Sequence, residues 1–135
     1  MNNEQLYKDY ILRAEGRLKA LDTLYQESLW ADVVRESQEV VELALKSLLR
    51  FIHIEIPRIH DVSAILVEHS AKLPEAAKKA LDELVDISQD LRRDRELSFY
   101  GSEDVTPHEF YKQKHADAAR VKARKVVDIC KRSIL

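Results

Sequence analysis

An all-α fold, an up-and-down helical bundle of four long helices and one short helix, is what this 135-residue sequence predicts, on three observations. Apolar residues make up 45% and charged residues 34%, a balance that suits amphipathic helices with charged outer faces. Two glycines and three prolines supply too little turn chemistry for an all-β chain. Apolar residues recur at three- and four-residue spacing along most of the chain. The length suits one hydrophobic core, so residues 1–135 are expected to form a single domain.

The first helix is predicted over residues 3 to about 27, where Leu6, Tyr10, Leu18, Leu21 and Leu24 share a face with Ala14 and Arg17. The second runs from about Ser28 to Phe51 and carries a wide apolar stripe, from Trp30 through Val33, Val40, Ala44 and Leu48, that belongs at the centre of a bundle. Glu42 and Lys46 stand i,i+4 in the favourable order. Pro57 breaks the pattern by removing a backbone donor and pushing Ile56 toward an extended conformation. His60 or Asp61 then opens a short third helix over 61–71, with Val62, Ile65 and Leu66 facing inward.

Pro74 suits the first turn of a fourth helix that carries Ala77, Leu81, Leu84, Val85 and Ile87 and continues into Arg92, Arg93 and Arg95. Gly101 is predicted to end it, because glycine tolerates the left-handed conformation that closes helices. Thr106-Pro107-His108-Glu109 reads as an N-cap, a proline at the first helical position and the glutamate of a reciprocal capping box. It starts a fifth helix to about Arg132, with Ala116, Ala119, Ala123, Val126, Val127 and Cys130 inward.

The net charge of −2 gives no general attraction to nucleic acid, but the charge is uneven. Residues 110–135 hold eight basic residues against Asp117 and Asp128, for +6, which leaves −8 for residues 1–109. Such a tail suits either a phosphate-facing surface or a basic helix lying against acidic neighbours in the same bundle. A lone cysteine cannot form an internal disulfide, no apolar run is long enough to span a bilayer, and MNNEQLYKDY lacks the apolar segment of a signal peptide. A soluble cytoplasmic protein without membrane association is expected.

Demanding chemistries find little support. No HExxH, CxxC or EF-hand pattern occurs, so no metal or cofactor is expected, although His53 with His60, and His108 with His115 seven apart on one predicted helix, are conceivable pairs. Cys130 lies in an apolar stripe and reads as packing. Two glycines cannot build a phosphate-cradling loop. The arginines differ, because a guanidinium stays charged and binds phosphate through a planar fork. Successive helical residues diverge by about 100°, so at least one of Arg92, Arg93 and Arg95 should turn toward the bundle or a partner. Pairing with Glu36, Glu39 or Glu42 is the plain alternative to a phosphate or subunit-interface role.

The stretch SQEVVELALKSLLRFIHIEIPRIHDVSAIL resembles the HEPN family, small helical domains of prokaryotes and higher eukaryotes. Ser37, Gln38, Glu42, Lys46, Pro57, His60 and Asp61 stand in the order typical of its members, and the arginine–tyrosine–glycine segment and alanine-rich last helix extend the likeness over nearly the whole chain. The resemblance implies an up-and-down bundle, usually a homodimer, related to the helical domain of aminoglycoside nucleotidyltransferases. Many prokaryotic relatives act with a small separate nucleotidyltransferase. Several are toxins that cut RNA without a metal, using an arginine to stabilise phosphate charge and a histidine four to six residues beyond to handle a proton. In one subgroup a tyrosine two residues after the histidine receives AMP from the partner.

Carried onto this sequence, the motif gives Arg93, the polar neighbour Asp94 and the tyrosine Tyr100, a candidate for AMP modification, with Ser98 where histidine belongs. Registers starting at Arg92 or Arg95 offer no histidine either. A serine hydroxyl cannot exchange a proton near neutral pH as imidazole does, and losing general acid–base help costs roughly 10²–10⁴-fold in rate. The degenerate motif therefore implies a non-catalytic dimer that binds nucleotide or RNA, or partners a nucleotidyltransferase, with Arg92, Arg93, Arg95 and Tyr100 as ligand or phosphate contacts. The alternatives are a toxin-like, metal-independent RNase of a toxin–antitoxin pair that recruits His60, His108 or Tyr100 for proton transfer, and a structural adaptor dimer whose arginines bridge subunits.

Overall fold

The computed structural model describes residues 2–56, 58, 61–100 and 106–135, with the backbone alone for residues 95–100. Among the described residues there are four long helices, α1 (Asn3–Gln26), α2 (Trp30–Phe51), α5 (Leu81–Tyr100) and α7 (Gln113–Ile134). Three short ones, α3 (Val62–Glu68), α4 (Glu75–Lys79) and α6 (Pro107–Phe110), and a 3₁₀ turn at Ser70–Lys72 lie between them. No strand occurs among the described residues, as the all-α prediction required.

α2 is the hub. It packs against α1, α5 and α7, and none of its residues is fully exposed, which its wide apolar stripe foretold. Val33, Val40, Ala44, Leu45, Leu48 and Leu49 are completely buried. Cross-helix contacts give the directions. Asn3 donates to the Arg50 carbonyl at one end of the α1–α2 pair, and Arg17 meets Glu36 further along, so the two helices run antiparallel. Tyr7 packs edge-on against Phe51, and Tyr25 against Trp30, which pins the pair at both ends. α7 runs antiparallel to α1, with Arg120 on Asp22 and Lys131 on Glu15, and antiparallel to α5, with Lys122 on Asp90 and Lys125 on Glu83.

The scarcity of glycine has a structural counterpart. α1 and α2 both close in the left-handed conformation without it, at Ser28 (φ 58°) and His53 (φ 64°). In each case the two backbone bonds of a Schellman motif form: Leu29 N–H to Leu24 and Ser28 N–H to Tyr25, then Ile54 N–H to Leu49 and His53 N–H to Arg50.

Two predicted helices are each split. The fourth breaks at Ala80, where the backbone makes a three-residue turn (φ −98°, ψ 9°). Ala77 of α4 is buried against the α7 side while α5 packs on α2 and α3, so the break re-aims the chain between two sets of neighbours. No glycine or proline marks it. The fifth helix breaks at Tyr111, whose extended backbone (φ −84°, ψ 134°) turns its ring inward. The Thr106 cap forms as predicted, its hydroxyl accepting the Glu109 N–H at 3.2 Å, but it starts only α6. α7 restarts with His115 as the reaching side chain, its Nδ1 accepting the Lys112 N–H at 2.9 Å. Asp61, rather than His60, caps α3. Pro57, His60 and Gly101 lie outside the described residues.

Candidate functional site

The arginine segment forms the last turns of α5, and its two described arginines differ in how they are held. Arg92 Nη1 lies 2.8 Å from Asp61 Oδ1, a contact that ties α5 to the start of α3. That same oxygen accepts from the Ser63 N–H at 2.9 Å and the Ser63 hydroxyl at 2.8 Å, so one carboxylate caps a helix and neutralises an arginine together. Burial pushes the Asp61 carboxyl up, but the Ser63 bonds and the Arg92 charge outweigh it and hold the group below the usual carboxylate range.

Arg93 points outward, with 71% of its side chain exposed. Among the described residues its acidic neighbours are loose, Asp90 at 3.4 Å and Asp94 at 3.9 Å. Asp90 is shared with Lys122, at 3.6 Å. An exposed pair of this kind contributes about 0–1 kcal/mol, so a phosphate could displace it at little cost. For Arg92 and Arg93 the expected acidic partners on α2 are therefore replaced by Asp61, Asp90 and Asp94. Glu36 pairs instead with Arg17 and Arg35, and Glu42 with Lys46. The sequence missed Asp61 because it lies 31 residues from Arg92, beyond any helical spacing. The side chains of Arg95, Ser98 and Tyr100 lie outside the described residues.

The Asp94 turn has a second anchor that periodicity did not reveal. Tyr111 is buried, and its hydroxyl donates to the Asp94 carbonyl at 2.6 Å, binding the segment after α6 to the end of α5. Burial, with the Asp94 charge nearby, pushes its phenol up to about 12.

On α2 the residues that carried the family likeness join in a polar ladder. Gln38 donates to Glu42 at 3.2 Å, and Lys46 reaches the other Glu42 oxygen at 3.1 Å. Ser37 and Gln38 are buried beside the apolar core.

The other candidate groups are settled locally. His108 and His115, predicted on one helix, fall on α6 and α7 either side of the Tyr111 break, and His115 Nδ1 is occupied by the Lys112 N–H. His53 Nδ1 lies 3.2 Å from the Asn3 amide nitrogen. No grouping of three metal-ligating side chains occurs among the described residues. Cys130 is sealed in the core, which pushes its thiol up to about 12. Half of the basic tail is paired within the bundle: four of its eight cations meet acidic residues of α1 and α5. Two shallow depressions lie near Lys125 and Arg132, one of about 580 Å³ along α7 with Asp128 in its wall and one of about 600 Å³ between α7 and the α4–α5 junction with Glu83 in its wall, both away from the arginine turn.

A bundle organised around one central helix, with its polar ladder and an arginine turn at the end of α5, matches the family model of the HEPN domain over residues 7–133. The chain belongs to the HEPN family. No curated protein and no solved structure matches it at a significant level. HEPN domains are generally associated with nucleotides or RNA. No helix among the described residues is long and apolar enough to cross a membrane.

Proposed function

We propose that this HEPN chain is a non-catalytic homodimer that binds nucleotide or RNA, alone or beside a small nucleotidyltransferase, with Arg93 and Arg95 as phosphate contacts. The observation that carries this reading is the division of labour at the end of α5. Arg92 is neutralised by Asp61, whereas Arg93 is exposed and, among the described residues, only loosely paired, a charge available to an incoming phosphate. Ser98 stands where a ribonuclease of the family needs its proton carrier, so binding without efficient cleavage is the expected outcome.

Charge reversal of Arg93 and Arg95 tests it. Binding of a fluorescent single-stranded RNA, or of AMP, should weaken at least tenfold and show a shallower salt dependence, while thermal unfolding stays within about 2 °C. Unchanged affinity with a folded protein removes the phosphate role. Intact mass after co-expression with a small nucleotidyltransferase reads whether Tyr100 gains AMP.

A ribonuclease reading is favoured by one feature. His108 is exposed on α6, and the following Tyr111 is bonded to the arginine turn, so an imidazole is held in the same region. Incubation with RNA in chelator decides this; cleavage lost in His108→Ala would establish it.

A further inference from the structure

Next to the arginine turn stands an aromatic cluster that joins the core residue Tyr111 to the more exposed rings of Phe110 and His115. Phe110, the last residue of α6, is 43% exposed and is the one aromatic among the large exposed apolar residues described. Its ring lies nearly parallel to His115, 11° between planes at 6.1 Å, and edge-on to Tyr111 at 5.0 Å. Tyr111 in turn meets His115 edge-on at 5.4 Å. Both supports are fixed, Tyr111 by its bond to the Asp94 carbonyl and His115 by the Lys112 N–H. Among the described residues, the Phe110 ring is thus stacked by His115 and met in a T-shaped contact by Tyr111, with 43% of the residue still exposed.

Cationic residues adjoin it in the fold and in the chain. Tyr111, the residue after Phe110, is bonded to the carbonyl of the residue after Arg93, so the end of α6 is anchored to the arginine turn. Lys112 and Lys114 follow Phe110 in the chain, both exposed and, among the described residues, without an ion-pair partner. An anchored aromatic ring with cations close by is the combination that holds single-stranded nucleic acid, where bases stack and the backbone meets positive charge.

We propose that Phe110 is a stacking platform for a nucleobase of a single-stranded RNA or nucleotide, whose phosphates reach Arg93 and Lys112 or Lys114. The proposal rests on the phosphate role given to Arg93 above, and adds to it recognition of the base. Stacking on a phenyl face is sequence-tolerant, because every base offers a π-face. Weak preference among homopolymers follows.

The test uses a fluorescein-labelled single-stranded ten-nucleotide RNA, with inorganic polyphosphate as a base-free polyanion. Phe110→Ala should weaken RNA binding roughly 5- to 100-fold and leave polyphosphate affinity unchanged. Phe110→Leu, which keeps apolar bulk and lacks the ring, should behave like the alanine variant. Phe110→Trp should bind RNA at least as well as the parent and lose fluorescence on saturation, over the unchanged signal of Trp30. RNA affinity untouched in Phe110→Ala overturns the platform. So does an equal loss of RNA and polyphosphate, or a Phe110→Ala protein that changes its association state instead, which would mark a protein contact. If Arg93 reversal weakens RNA binding and Phe110→Ala does not, the platform falls and the phosphate site stands. If the parent binds neither probe, both fall.

Discussion

Replacing Asp61 separates stability from binding in opposite directions. Its carboxylate accepts two hydrogen bonds from Ser63 and holds Arg92 at 2.8 Å. Loss of an N-cap costs about 0.5–2 kcal/mol. Arg92 is 49% exposed, so the ion pair adds only about 0.2–1 kcal/mol. Asp61→Ala should therefore destabilise by about 1–3 kcal/mol, a fall in Tm of about 3–10 °C for a chain of this size. Asp61→Asn keeps an acceptor for the cap and loses the charge, so its cost should be the smaller share, about 0.2–1 kcal/mol. A carboxyl held below its ordinary pKa stabilises the fold above its unfolded value of about 3.9, and that contribution disappears as pH falls through the folded value. Denaturant unfolding of parent and Asp61→Ala should thus show a constant gap between pH 7 and 5 that closes below about pH 4. RNA binding should move the other way, because Asp61→Asn releases Arg92 beside Arg93: affinity should rise a few-fold, with the salt dependence steeper by about 0.7. Equal midpoints for parent and Asp61→Ala, or a gap undiminished at pH 3, would refute the capping role; affinity falling in Asp61→Asn would refute the competition for Arg92.

Three further outcomes follow from the packing. Gly16 is exposed within α1 and an added Cβ would meet nothing within 4 Å, so Gly16→Ala should stabilise by about 0.5–1 kcal/mol in urea unfolding. Leu48 is fully buried on the central helix, and Leu48→Ala should cost about 2–5 kcal/mol, enough to lower Tm markedly. Tyr111→Phe removes the bond to the Asp94 carbonyl, an expected loss of about 0.5–1.5 kcal/mol at pH 7. Because the Tyr111 phenol is raised to about 12 from an unfolded value near 10, the parent should lose stability as pH climbs through that interval, and Tyr111→Phe should lose less.

The long helices were legible because their signal repeats: α1 and α2 end within two residues of their predicted bounds, and every residue assigned inward on α7 is buried. Ile11 and Ile129, also buried, continue the same stripes. The breaks at Ala80 and Tyr111 were not legible, because neither is marked by a glycine or proline at the break, and at Tyr111 the contact that accompanies it is to Asp94, distant in sequence. The candidate site divides along the same line. Arg92, Arg93 and Asp94 could be placed on a helix from spacing alone, but which arginine is neutralised depends on Asp61, brought there by the turn into α3. The aromatic group of Phe110, Tyr111 and His115 was invisible for a related reason: a continuous helix would have pointed the first two apart, and only the break lets all three rings meet.

Cys130 gives the molecule a built-in clock. It is the chain's one thiol, wholly enclosed in the core that α7 shares with the rest of the bundle, and its raised pKa keeps the nucleophilic thiolate scarce even when a reagent is present. A thiol-reactive dye can reach it only when the structure opens, so the labelling rate relative to an unfolded chain reports how often the packing around α7 gives way, in the unaltered protein. Bound RNA that slows this clock would connect the surface of α5 and α6 to the interior without a single added probe.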